Sequence, residues 1–115
     1  MIVGHVNELA GIPMQGAGIQ GATKKVLVSP KEGWEGWTMR LFTLEPGGFT
    51  PRHTHDWPHI NYIASGEGTL YLDGQDYALK EGAYAYVPGG ALHQFRNHSG
   101  KEFSFLCIVP EEGDK

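Results

Sequence analysis

Glycine and proline punctuate this chain throughout, 17 of one and 7 of the other in 115 residues. Glycine weakens a helix interior and proline breaks it, and no helical period of useful length survives between them. What survives is short runs of strand-like alternation between turn signals, the pattern of an all-β sandwich or barrel. The predicted strands are 24–29, 36–44, 59–63, 69–72, 75–79, 83–87, 92–96 and 101–109. Turns are expected at 30–33, 45–48, 64–68, 80–82 and 88–90, and Asp73-Gly74 is a strong hairpin signal. Strand 36–44 is apolar on both sides, with Trp37, Met39 and Leu41 on one and Phe42 and Leu44 beside Arg40 on the other. Such a strand lies between two layers or faces a partner subunit. Residues 1–22 read as a short leading strand and a glycine-rich irregular arm, and 110–115 as a polar tail. The whole reads as one domain.

Charge and composition exclude several classes. The net charge is −4, and the lysines and arginines are scattered. There is no electrostatic footprint for nucleic acid. No apolar run approaches the roughly 18 residues of a spanning helix. The start of the chain lacks the charged and apolar regions of a signal peptide. The lone cysteine, Cys107, has no partner for an intrachain disulfide, which fits a reducing compartment. The expectation is a cytoplasmic protein with neither membrane nor nucleic-acid partner.

The stretch from Gly47 to Gly66 holds His53, His55 and His59. On a strand, His53 and His55 would point to one face. Pro58 bends the chain so that a new strand starts at His59. A distant fourth histidine, His93, follows the turn at Pro88-Gly89-Gly90. Imidazole is the commonest side-chain ligand of transition metals, so this grouping points to a metal site.

The two stretches resemble the two cupin motifs. Gly47, His53, His55 and Gly66 match the first, with His59 where that motif usually has glutamate. Gly82, Pro88, Gly90, His93 and Asn97 match the second without gaps. The resemblance spans 47–97 and is similar to small single-domain cupins that hold their metal with four histidines. It implies a double-stranded β-helix, the cupin jelly-roll barrel. It further implies one divalent transition metal per chain, with manganese or iron favoured and copper, cobalt, nickel or zinc open. Four neutral ligands leave the ion's charge uncompensated, and an octahedral ion would keep two open positions.

Arg40, Phe42, Thr50, Trp57, Phe95, Phe105 and Cys107 are the candidate substrate-pocket residues. Trp57 walls the pocket or packs on its rim, and Phe95 and Phe105 face the pocket or fill the core. Arg40 meets a buried partner, an anionic substrate group or a surface carboxylate. Cys107 is a small buried hydrophobe unless it faces the metal. The leading functional expectation is an oxidoreductase of dioxygenase type acting on a small, partly apolar molecule. A non-catalytic sensor or storage barrel is the alternative, and an isomerase, cyclase or decarboxylase the second. A homodimer with exchanged N-terminal strands is also expected.

Overall fold

The computed structural model describes residues 1–114. Nine antiparallel strands form a barrel-like sheet: β1 (Ile12–Pro13), β2 (Gln20–Val28), β3 (Trp37–Phe49), β4 (His59–Ser65), β5 (Glu67–Leu72), β6 (Gln75–Lys80), β7 (Tyr84–Val87), β8 (His93–Arg96) and β9 (Phe103–Pro110). Their order is β6-β5-β8-β3-β9-β4-β7, with β2 on β3 and β1 on β2. Among the described residues, helical structure is limited to three 3-10 turns, at Val6–Glu8, Pro30–Glu32 and Glu111–Asp114. The expected double-stranded β-helix is therefore the observed fold. Among the described residues no helix is long and apolar enough to cross a membrane.

Period-two alternation sets the inside of the barrel. On β9, Phe103, Phe105, Cys107 and Val109 are buried while Ser104, Leu106 and Ile108 face outward. On β4, His59, Asn61 and Ile63 point in, and Ile60 and Tyr62 point out. Leu44, Ile63, Leu70, Val87, Phe95, Phe103, Phe105 and Val109 share one core. The core fills only part of the barrel, and the histidines occupy the rest of its inner surface.

The hairpin at Asp73-Gly74 has both residues at positive φ, 45° and 92°, as a two-residue type I′ turn needs. Two expectations change. The predicted turn at 45–48 is instead a continuation of β3, which runs to Phe49. Gly47, at φ 82°, donates to the Asn97 carbonyl, and Gly48 is packed against the carbonyls of Gln20, Gly21 and Glu45. Backbone packing thus carries a bent strand through a turn-like sequence, so β3 pairs with β9 at 37–44 and reaches β8 at Phe49. The arm also differs. It opens with a 3-10 turn, its one strand is the two-residue β1, and β2 starts at Gln20, four residues early. Gly21 forms a bulge there, at φ 58°.

The segment expected as a polar tail begins within β9 at Pro110 and turns back over the barrel. Its Gly113 packs against Trp57 and Val109.

The turn at 88–90 packs on the loop that carries His55 and Trp57. Gly90 donates to the His55 carbonyl at 2.7 Å. A β-carbon on Gly89 would collide with the Asp56 carbonyl, whereas one on Gly100 would meet nothing. Gly89→Ala should therefore lose about 1–3 kcal/mol, the usual range for overpacking. Gly100→Ala should melt within a degree or so of the parent. Equal melting temperatures for the two variants would show that the 88–90 turn does not brace this loop.

Candidate metal centre

The four histidines reach one region from three parts of the chain. His53 and His93 form an isolated antiparallel bridge, each donating its N–H to the other's carbonyl at 3.1 Å. Such a pair puts both side chains on one face, and the rings lie 4.9 Å apart. The expected strand through His53 and His55 reduces to this single bridge followed by a loop, yet the two rings still lie 5.2 Å apart. His59 opens β4 directly after Pro58, and His93 opens β8 after the 88–90 turn.

Second partners fix the tautomers. The His59 Nδ1 lies 2.6 Å from Asn61 Oδ1, and the Asn61 amide nitrogen donates to the Leu106 carbonyl, so Oδ1 accepts and His59 Nδ1 donates. The His93 Nδ1 donates to the Ala91 carbonyl at 2.9 Å, and the His55 Nδ1 to the Trp57 carbonyl at 2.7 Å. A neutral imidazole has only one N–H. Each of these three therefore presents a bare Nε2 lone pair. The Nε2 atoms of His59 and His93 face each other across 3.2 Å, and neither has a proton to share. Two lone pairs at that distance repel unless a cation lies between them. Neighbouring ligands of an ion at about 2.1 Å would be about 3.0–3.4 Å apart, for octahedral to tetrahedral angles. The donor set fits a metal ion.

The tightest cluster is His53, His55 and His93, whose ligand atoms all lie within 4.8 Å of one another. His59 joins it through His93 and His55, with ring centroids 4.9 and 5.3 Å away. These residues could hold a metal.

The surroundings hold the pKa of three of the imidazoles, His59, His93 and His53, below the usual histidine value. Burial, then the neighbouring His93, pushes the pKa of His59 down to about 3, although Asn61 opposes the shift. His93 is lowered mainly by burial, against the pull of the Ala91 carbonyl. His53 is lowered by burial of its ring and by His93 and His55.

The histidines form one wall of a cavity of about 240 Å³, and all seven sequence-nominated pocket residues line it. Phe42, Phe105 and Phe95 form a stacked row, with centroids 5.6 and 4.1 Å apart. Trp57 stacks on His55 at 4.9 Å and 6°. The Thr50 hydroxyl is committed to the backbone, accepting from the Phe95 N–H at 3.0 Å. Arg40 donates to the Cys107 sulfur at 3.1 Å and pairs with Asp114 at 3.4 Å, and its Nε finds no partner among the described residues. Burial holds the Cys107 thiol above its usual pKa, although Arg40 pulls the other way. It is a neutral thiol, not a ready nucleophile. Asp56 and Glu67 are exposed, and among the described residues no aspartate or glutamate lines the cavity.

Sequence reasoning missed four contributors. Asn61 had a readable signal, its position two residues after His59 on the same strand face. Met14 comes from the irregular arm, and Gly113 and Asp114 from the C-terminal turn. Their approach depends on tertiary packing that leaves no local mark. Asn97 is not at the site. It ties the barrel by donating to the Leu44 and Lys101 carbonyls.

Residues 40–109 match the family described as Cupin domain, which is more than half of the chain. This protein belongs to the cupin family. Over 77 residues it is 31% identical to the 1-methylthio-D-xylulose 5-phosphate methylsulfurylase of Rhodospirillum rubrum, covering 67% of this chain and 49% of that protein. The chain spans half or less of the length of the curated relatives it matches. Among solved structures, the polyketide cyclase RemF of Streptomyces resistomycificus superposes with a TM-score of 0.90. It is 26% identical, over 96% of this chain and 80% of that one. A predicted oxalate decarboxylase from Thermotoga maritima superposes with a TM-score of 0.86 at 23% identity, over 95% and 98% of the two chains, and shares the fold.

Two outcomes follow. Asn61→Leu removes the acceptor that orients His59, and it should weaken metal binding about 10- to 100-fold in a competition titration. Unchanged affinity would separate His59 from the ion. The second outcome concerns acid. His59 is held neutral in the fold down to about pH 3 but titrates near 6.5 when unfolded. Between those values the unfolded chain binds more protons, so metal-free protein loses stability as pH falls, by up to about 1.4 kcal/mol per unit for this group. Thermal melts of His59→Gln should show a shallower pH slope than the parent. A parallel slope would mean that His59 is not held neutral.

Proposed function

We propose that this cupin is a metal-dependent enzyme of the isomerase, cyclase or decarboxylase kind, with His53, His55, His59 and His93 as the ligands. Its substrate is a small carbonyl- or enol-bearing molecule, flat and apolar at one end and oxygen-rich or anionic at the other. The observation that carries this reading is the set of bare Nε2 atoms on one wall of an aromatic cavity with no carboxylate in its lining. Four neutral ligands leave a divalent ion its full charge, and when bound it supplies Lewis-acid polarisation of an oxygen.

The chain's own residues do the rest. Phe42, Phe105 and Phe95 offer a stacking surface for a planar molecule. Arg40 lines the cavity, where its guanidinium can meet an oxygen or an anionic group of the substrate. Trp57 buttresses His55 and shields the cavity mouth from water. Likeness to a polyketide cyclase over 96% of the chain supports the non-oxidative reading. The Rhodospirillum relative is named for a sugar phosphate, which supports an anionic end on the substrate.

The test is reconstitution with zinc, manganese, iron, cobalt or nickel, followed by a panel of diketones, keto acids and polyketone chains, with product masses read in air and under argon. The expected products keep the substrate's mass, or lose water or carbon dioxide, at a rate independent of oxygen. Consumption of dioxygen with oxygen gained by the product would replace this reading with the dioxygenase. Tight binding without turnover across the panel would make the protein a sensor or storage module.

Elemental analysis should find about one ion per chain, lost in His93→Ala. Arg40→Met should raise KM about 10- to 100-fold for anionic substrates, the loss of one charge-assisted hydrogen bond, and change kcat little. An equal effect on neutral analogues would remove Arg40 from substrate binding.

A further inference from the structure

Arg40, the guanidinium of the cavity, is shared with the C-terminal turn. On β3, Arg40 opposes Cys107 of β9, and Phe42, two residues on, opposes Lys24 of β2. Side chains two apart on a strand share a face, as do those paired across a ladder, so Lys24 and Arg40 project from the same side. One carboxylate meets both. The Asp114 Oδ1, at the end of the Glu111–Asp114 turn, lies 3.2 Å from Lys24 Nζ and 3.4 Å from a terminal nitrogen of Arg40. Arg40 and Gly113 line the cavity, and Lys24 does not. Asp114 therefore stands between a cation that faces the cavity and one that lies outside it.

We propose that Asp114 is a built-in stand-in for the anionic group of the substrate: it holds Arg40 before the substrate binds, then yields it to the ligand and keeps Lys24. This rests on the reading of Arg40 as the receptor of the substrate's anionic end. Three observations carry it. The first is how loosely Arg40 is held. Its terminal nitrogens donate to Asp114 at 3.4 Å, to the Gly113 carbonyl at 3.5 Å and to the Cys107 sulfur at 3.1 Å. A charge-assisted N–H···O bond is usually about 2.7–2.9 Å long, and sulfur is a weak acceptor. A ligand carboxylate that met the guanidinium fork with both oxygens would replace weak bonds with strong ones.

The second observation is charge. Lys24 and Arg40 share one carboxylate oxygen, and the side chains of Arg40 and Asp114 are only 11% and 20% exposed. Burial keeps Cys107 a neutral thiol, and Phe42, its ring centroid 4.8 Å from the guanidinium carbon, offers only a π face. A second anion would give each cation its own partner. The third observation is distance. The same oxygen already touches both cations, so Asp114 can pass wholly to Lys24 with a small shift of its turn. That turn is tied at its start, where Glu111 donates to the Gly36 carbonyl at 2.9 Å, and Asp114 lies at its far end.

The consequence is selectivity. A ketone or hydroxyl oxygen offers the guanidinium no more than Asp114 does, and leaves the internal pair intact. An anionic group with two oxygens displaces it. Asp114 is thus a specificity-determining residue that touches Arg40 and lies outside the cavity lining.

The experiment is calorimetric titration of the full chain, reconstituted with zinc, with phenylpyruvate and with its neutral methyl ester. Phenylpyruvate is flat and apolar at one end and anionic at the other. Asp114→Asn should bind it about 3- to 10-fold more tightly than the parent does, through loss of the competing ion pair, and should bind the ester no differently. Lys24→Met should bind phenylpyruvate about 3-fold more weakly, because Asp114 then has no second cation to turn to. In the Asp114→Asn background the same Lys24→Met change should have no effect. Arg40→Met tests the underlying reading and should abolish the preference for phenylpyruvate over its ester. If that preference survives, Arg40 is not the anion receptor, and the stand-in falls with it. If Arg40→Met abolishes the preference but Asp114→Asn binds phenylpyruvate equally or more weakly, Asp114 only positions Arg40, and the stand-in alone is overturned. It is also overturned if Asp114→Asn tightens the ester equally, or if the Lys24→Met effect persists without Asp114.

Discussion

Two nitrogen lone pairs facing each other across 3.2 Å inside a protein are an unfavourable arrangement, and much of this structure exists to hold it. Carbonyl or amide oxygens claim the Nδ1 protons of His55, His59 and His93, so these rings cannot turn a proton toward the common point. Burial makes protonation of His59 and His93 costly, so the repulsion between them is not relieved by acid near neutrality. The remaining remedy is a cation. The barrel supplies the rigidity this needs, because backbone bonds independent of the imidazoles tie the 53–57 loop to β8 and to the 88–90 turn, and tie β4 to β7 and β9.

The fold was readable because its signals are local. Alternation on β4 and β9 and the Asp73-Gly74 turn each specify structure within a few residues. The histidines were readable for a related reason: their spacing in each motif is set by strand and turn geometry. The misreadings share a cause. Glu45-Pro-Gly-Gly48 has turn composition, but the shape of β3 there is decided by β2 and Asn97, distant in sequence. Gly113 and Met14 reach the cavity through packing of the chain's two ends. The identity of the substrate is unreadable for a chemical reason, since aromatic walls and one guanidinium define a shape and a polarity, not a molecule.

The cavity joins two kinds of recognition in a small space. One wall is nitrogen lone pairs, another is stacked phenyl rings, and Arg40 stands between them beside Cys107. Arg40 is held from the C-terminal turn by Asp114, which also pairs with Lys24 at 3.2 Å. The position of the guanidinium thus depends on how that turn sits. Gly113 suits the turn because its missing side chain leaves room for Trp57 and Val109.

Strand β4 spells two messages in alternate letters. His59, Asn61 and Ile63 belong to the interior, and Ile60 and Tyr62 to the exterior. Drift at the even positions can revise one without touching the other, as long as the reading frame of the strand holds. A single inserted residue after Pro58 would transpose them, turning imidazole toward water and isoleucine toward the ion. Lineages descended from such a barrel should therefore vary freely in the letters of β4 and hardly at all in their number.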